Sequence, residues 1–155
     1  VGRTQAEDDV DMIDGADVGI AMVGFDARYK YKRFAARGQF INASLTDTEA
    51  YNTLNSADLG SKLQGWYLES SYNLLSQDKA QQLWAFARYE DYDTHASVDG
   101  GLTKNNAFDR NDLTFGLSYK LSQGTVVKAD YQIKSNEVAN SDSTGQLNFG
   151  IGVWF

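Results

Sequence analysis

The chain has 155 residues and a formal net charge of -7, and it contains no cysteine. The negative charge argues against a general nucleic-acid-binding protein, because contacts with phosphates need a basic surface. No run approaches the roughly 20 apolar residues that a membrane-spanning helix needs, so a helical membrane protein is excluded. The absence of cysteine excludes a disulfide framework and a thiolate metal site, and the sequence predicts neither a metal nor a cofactor.

The first part of the chain, positions 1–17, is strongly acidic and predicts an exposed loop. Asp9, Asp11 and Asp14 are spaced almost like the ligands of a calcium-binding loop. The specific motif fails, because the third Asp comes one residue late and Ile20 stands where a bidentate Glu is required. Loose binding of a divalent ion remains open.

Seven stretches after this loop alternate apolar and polar residues, and this period predicts two-faced β-strands. In the fifth stretch, for example, Leu113, Phe115 and Leu117 alternate with Thr114 and Gly116. The predicted strands cover about 19–31, 34–45, 63–75, 81–93, 112–121, 125–134 and 145–155.

The connections between these strands alternate in length. Short links at 32–33, 76–80 and 122–124 separate longer ones at 46–62, 94–111 and 135–144. Outer-membrane barrels have short periplasmic turns and long extracellular loops, whereas a soluble β-sandwich, the alternative, lacks this alternation. The sequence therefore predicts an all-β protein of the bacterial outer membrane, an antiparallel transmembrane up-and-down β-barrel, with an acidic extracellular loop at 1–17 and barrel strands at 18–155.

The predicted number of strands indicates a larger barrel. Bacterial barrels have an even number of strands, so seven suggests the carboxyl-terminal part of a longer wall. An eighth strand near positions 4–14 is the competing interpretation. It is disfavoured because acidic residues would lie on both of its faces.

The polar side of the predicted strands carries the candidate pore-lining residues. The basic ones are Arg28, Lys30, Arg37, Arg88, Lys120, Lys128 and Lys134, and the acidic ones are Asp26, Glu69, Glu90 and Asp130. Basic side chains in a lumen favour anions. The alternative is that these charges form interior salt bridges, such as Lys128 and Lys134 with Asp130 or Arg88 with Glu90.

Several segments resemble a known family. GWYLESSYNL at 65–74, AFARYEDYD at 85–93, DLTFGLSY at 112–119 and VKADY at 127–131 look like the last half of porins similar to the phosphate-selective porins O and P. This resemblance implies a sixteen-stranded, commonly trimeric channel that passes small anions through a constriction of arginines and lysines. The typical lysine cluster of those porins is not found in these segments, so phosphate selectivity is not implied. Phe149, Ile151, Val153 and Phe155 resemble the terminal signature that the barrel assembly machinery binds.

The leading functional hypothesis is a water-filled porin for passive diffusion of small solutes or ions, either a general pore or one that prefers anions. Its expected partners are outer-membrane lipid and lipopolysaccharide, the assembly machinery and two further copies of itself in a homotrimer. The alternative is a structural or adhesive barrel with a plugged lumen, which binds a partner through loops 46–62 and 94–111. An enzyme is not expected, because the single histidine, His95, is predicted to be a solvated loop residue without a nucleophile beside it.

Overall fold

A computed structural model describes residues 2–5 and 17–154, and these residues are mostly β. The strands form one sheet in chain order, and each pairs antiparallel with the next. The elements are β1 (Gly2–Gln5), β2 (Asp17–Tyr31), β3 (Phe34–Thr46), α1 (Thr48–Asn55), β4 (Lys62–Asn73), β5 (Gln82–Ser97), a 3-10 turn (Asn106–Phe108), β6 (Asp109–Ser122), β7 (Thr125–Asn136) and β8 (Thr144–Val153).

The prediction of a mostly β, antiparallel chain is confirmed. The seven predicted strands correspond to β2 to β8, and the shifts at their ends are small except at β5 and β6, which extend further towards the loop between them. The sheet is an open meander: among the described residues, β1 and β8 each pair with one neighbour, so the sheet does not close into a barrel. The long strands follow from the unbroken apolar period and from the lack of proline, which would interrupt a ladder of hydrogen bonds.

The four residues of β1 fall within the predicted acidic loop but form a strand. They pair with the first residues of β2, from Gln5 opposite Asp17 to Gly2 opposite Ile20. Their sequence, Gly-Arg-Thr-Gln, has no apolar period, so periodicity could not predict this strand. The rest of the predicted loop, including the candidate calcium motif at 9–14, lies outside the described residues, as does Phe155.

The segment between β3 and β4 contains α1, which the sequence analysis did not predict. The helix has only 8 residues, too few to show an apolar period. Thr48 and Asn52 are its buried residues, so the helix packs through polar rather than apolar side chains. In the described part of the chain, no helix is both long enough and apolar enough to cross a membrane.

Candidate functional site on the polar face of the sheet

One face of the sheet, here called the apolar face, carries large side chains that stay exposed. Phe25, Phe149 and Ile151 are 70%, 76% and 76% exposed. Among the residues that the structure describes, the buried apolar side chains are limited to Val18 and Ala43. A soluble sheet normally buries its apolar face and leaves the polar face in water. In this chain the apolar face is exposed as well as the polar face.

The opposite face, here called the polar face, collects the predicted charged residues. Arg28 lies opposite Arg37, Arg37 opposite Glu69, and Glu69 opposite Arg88. Directly opposed residues of neighbouring strands point to the same side of a sheet. Arg28, Arg37 and Arg88 therefore form one row across four strands, the arginine row, with Glu69 between the last two.

The arginines of this row differ in how far their charges are compensated. Arg37 donates Nε and Nη2 to the two carboxylate oxygens of Glu69, each over 2.9 Å. Arg88 pairs with Glu90, and its guanidinium lies 4.3 Å from the ring centroid of Tyr67. Its Nε is buried and has no hydrogen-bond partner among the described residues.

Arg28 is the least compensated member of the arginine row. Its Nε lies 3.7 Å from an oxygen of Asp26, and the two side chains are 79% and 62% exposed. Ion pairs this exposed contribute little, about 0 to 1 kcal/mol. Arg28 thus presents an accessible positive charge beside Arg37, which is directly opposite.

Further charged residues of the polar face lie on the last strands. Lys128 Nζ is 3.1 Å from Asp130, so this salt bridge, suggested as an alternative, is present, as is the suggested pair of Arg88 with Glu90. The suggested pair of Lys134 with Asp130 is wrong, since Lys134 donates to Gln146 over 2.6 Å. Asp130 instead accepts from Asn148 over 2.9 Å. Of the other candidates, Lys120 lies opposite Gln82 and Val126, Asp26 opposite Gln39, and Glu90 opposite Tyr67 and Asp112.

A concave region of about 550 Å³ lies on the polar face. This basic recess is lined mainly by Arg28, Lys30, Arg37, Trp84, Phe86 and Lys128. Trp84 and Phe86 share the parity of Arg88 on β5 and therefore lie on the polar face, but the sequence analysis gave them no role. Two large aromatic residues on the polar parity of one strand are the signal that could have marked this site.

A second, smaller concave region of about 320 Å³ is more apolar. Met22, Ile41, Ala43 and Leu63 line it on the polar face, towards the end of the sheet that carries α1. Tyr67 and Arg88 also line this region. The polar face therefore combines an apolar patch near its loop end with a cationic region further along.

The long connections pack together at one end of the sheet. His95 is only 2% exposed, so the prediction of a solvated loop residue is wrong. Its Nδ1 accepts from the Asn105 backbone N–H over 3.1 Å, which requires that Nε2 carries the proton and donates to the Asp58 carbonyl over 2.8 Å. The imidazole also lies 4.9 Å from the Phe108 ring. His95 thus joins residues 47–61 and 98–108 into one loop unit.

Other polar contacts within the loop unit support this packing. Thr48 is fully buried, and its hydroxyl donates to the Asp99 carboxylate over 2.9 Å. Lys104 Nζ lies 2.7 Å from Asp93 and 3.1 Å from Asp109. These two carboxylates, that of Asp93 first, raise the pKa of Lys104. In the described residues, no three His, Cys, Asp or Glu side chains are grouped so that they could hold a metal ion.

The fold and the polar face define an antiparallel β-meander with one exposed apolar face and one charged face. No protein-family model matches the chain, and no solved structure matches it. The chain is similar to an uncharacterized protein of Aquifex aeolicus (strain VF5), with 44% identity over 71 residues. The match covers 45% of this chain and 16% of that protein, so the chain matches less than a fifth of its relative's length.

Proposed function

We propose that this chain forms part of the wall of a bacterial outer-membrane β-barrel that acts as a porin. The channel would be water-filled and would pass small solutes or ions by diffusion, with a preference for anions. The observation that carries the proposal is a sheet whose apolar face is exposed and whose other face is charged. Large contiguous apolar surfaces are unfavourable in water, whereas a lipid-facing strand needs them.

The open edges of the sheet support a larger closed wall. Backbone groups at a sheet edge have no partner in hydrocarbon, so strands that span a membrane belong to closed barrels. Further strands would have to join β1 and β8, as expected for a barrel of possibly sixteen strands. The matched protein of Aquifex aeolicus, more than twice as long as this chain, is compatible with this.

The two ends of the sheet support an orientation in the membrane. Tight turns at 32–33 and 123–124 lie at one end, and the loop unit lies at the other. The tight turns would face the periplasm and the loop unit the outside. Tyr31, Phe34, Tyr72 and Tyr119 lie on the apolar face near the tight turns, where an aromatic girdle would meet the interface.

The expected partners follow from the same orientation. The apolar face would contact lipid and lipopolysaccharide and, in a homotrimer, neighbouring copies. Phe149, Ile151 and Val153 of β8 are exposed and would contact the barrel assembly machinery. Phe155, the fourth residue of that signature, lies outside the described residues.

The anion preference is proposed to come from Arg28, Lys30 and Arg37. Replacing all three by Gln should shift the reversal potential in a salt gradient towards the value for cation preference. A double variant, Arg28→Gln with Lys30→Gln, keeps the Arg37 pair with Glu69 intact and should give a smaller shift in the same direction. Lys134→Gln removes one charge elsewhere on the polar face and serves as the control. An unchanged reversal potential in the triple variant would contradict the proposal.

A second candidate function is a structural or adhesive barrel that binds a partner through the loop unit. The buried contacts of His95 and Thr48 favour it, because they hold the loops as one ordered surface. His95→Ala would leave two backbone groups without partners and should cost about 2 to 4 kcal/mol of local stability. Faster protease cleavage at 98–108 on intact cells would report this loss. Bilayer conductance separates the two functions, because a plugged barrel gives no ohmic current.

Catalysis is not part of this proposal. Both ring nitrogens of His95 are already hydrogen-bonded to backbone groups of the loop unit. The imidazole is therefore engaged in packing and not positioned as a base for a nucleophile.

A further inference from the structure

We infer that the basic recess binds an organic anion that carries an aromatic ring, such as an aromatic carboxylate. This inference rests on the proposed function, because the recess lies on the face that would line the lumen. The volume of about 550 Å³ falls in the range of small-molecule sites, roughly 300 to 1000 Å³. The site can therefore hold a ring and its charged group together.

The cations of the recess fall into two groups. Arg37 is held by both oxygens of Glu69, and Lys128 is 3.1 Å from Asp130. Arg28 is 79% exposed, and Lys30 forms no salt bridge with the described residues. Arg28 and Lys30 are two residues apart on β2, about 7 Å along the strand, and share the polar face. They can bind one carboxylate between them.

The rings of the recess lie next to these cations. Lys30 Nζ is 5.7 Å from the ring centroid of Trp84, and Lys128 Nζ is 4.7 Å from that of Phe86. The indole N–H of Trp84 already donates to Gln82 over 3.0 Å. The polar group of the indole is thus satisfied. Lys30 Nζ already lies over the indole ring, so a ligand ring would stack beside this ammonium group or on the opposite face of the indole. A carboxylate bound by Lys30 would place an attached ring beside the indole.

The combination of groups selects the ligand class. A compact inorganic oxyanion would bind Arg28 and Lys30 but would add no contact with the aromatic rings beyond those that Lys30 and Lys128 already make. An uncharged ring would stack but would leave Lys30 without an acidic partner and Arg28 with only its long, exposed pair with Asp26. A ring with one attached carboxylate uses both parts, because stacked rings attract each other beyond the area they bury.

Binding can be measured without assuming a pore, by tryptophan fluorescence of the whole protein extracted in detergent. Trp66→Phe and Trp154→Phe make Trp84 the single tryptophan of this chain. Benzoate should change its emission saturably, and cyclohexanecarboxylate, which has the same charge but no aromatic ring, should bind about threefold to tenfold more weakly. Equal affinity for the two acids, or tighter binding of inorganic phosphate, would overturn the inference.

Two variants test whether benzoate binds in the basic recess, and a conductance measurement tests the pore separately from this binding. Lys30→Gln and Phe86→Leu should each weaken benzoate binding severalfold, whereas Lys134→Gln, outside the recess, should leave it unchanged. Equal effects of all three variants would overturn the assignment. Saturable binding by a protein that conducts no current would support the site and overturn the pore. Ohmic current without a saturable change in emission would overturn the site and leave the pore.

Discussion

Arginine introduced at Leu117 should show which solvent meets the apolar face. Leu117 lies on this face of β6 and is 46% exposed. Its partners in the two neighbouring strands are Ala85 and Ala129, so replacing it removes little packing. In a bilayer, arginine near the midplane costs about 2 to 4 kcal/mol, roughly a 30-fold to 1000-fold shift in the folding equilibrium. In water, an exposed substitution of this kind stays within about 0.5 kcal/mol.

The whole protein is unfolded with guanidinium in phospholipid vesicles, and tryptophan emission monitors the unfolding. Leu121→Arg is the control for depth: it lies on the same face near the end of β6, where the cost should fall to about 0 to 1 kcal/mol. Gln132→Arg is the control for the face. Gln132 donates to Asp112 over 3.0 Å on the polar face, and arginine can keep a donor there. A cost at Leu117 no larger than at Gln132 would refute the proposed lipid contact.

Two further predictions concern the packing of the polar face and the pH dependence of the loop unit. Gly116→Val should lower the free energy of unfolding by about 1 to 3 kcal/mol, because the added Cβ would overlap the backbone of β7. At Gly150 an added Cβ would meet nothing within 4 Å, so Gly150→Val should be tolerated in the same unfolding assay. Hydrogen bonds to the carboxylates of Asp93 and, second, Asp109 raise the pKa of Lys104 in the folded protein. Lys104 therefore stabilises the loops fully below the pKa of an unfolded lysine, about 10.4. This stabilisation is lost as the pH rises through the higher pKa of the folded state. A spin label at Gly101, where an added Cβ would meet nothing within 4 Å, should gain mobility in that alkaline range, and a Lys104→Gln variant should show no such transition.

The faces of the strands could be predicted from the sequence because they depend only on parity along each strand. On β5 the charged residues Arg88 and Glu90 share one parity, which marks the polar side of the strand. The pairing agrees, since Tyr89 on the other parity lies opposite Leu68 and Leu113. A charged residue that faces lipid is costly. A few charged residues therefore suffice to show which side of a strand faces away from lipid.

What the sequence could not predict depends on contacts between strands and loops. The arginine row and the partner of Lys134 are set by the register, which parity does not determine. The basic recess likewise requires Lys30 of β2 and Trp84 of β5 to lie on a common concave surface. His95 was expected in water because it was placed in the loop after the fourth predicted strand, but β5 extends through it and partners distant in sequence bury it.

The central claim is that the two faces meet different solvents, and spin labelling along β6 tests it most directly. The chain has no cysteine, so single cysteines can be introduced from Leu113 to Tyr119 without background labelling of this chain, leaving out Gly116, where a side chain would overlap the backbone of β7. In vesicles, labels at odd positions should be reached by oxygen dissolved in the lipid, and labels at even positions by a water-soluble nickel complex. Nickel access at the odd positions, or no alternation along the strand, would contradict the account.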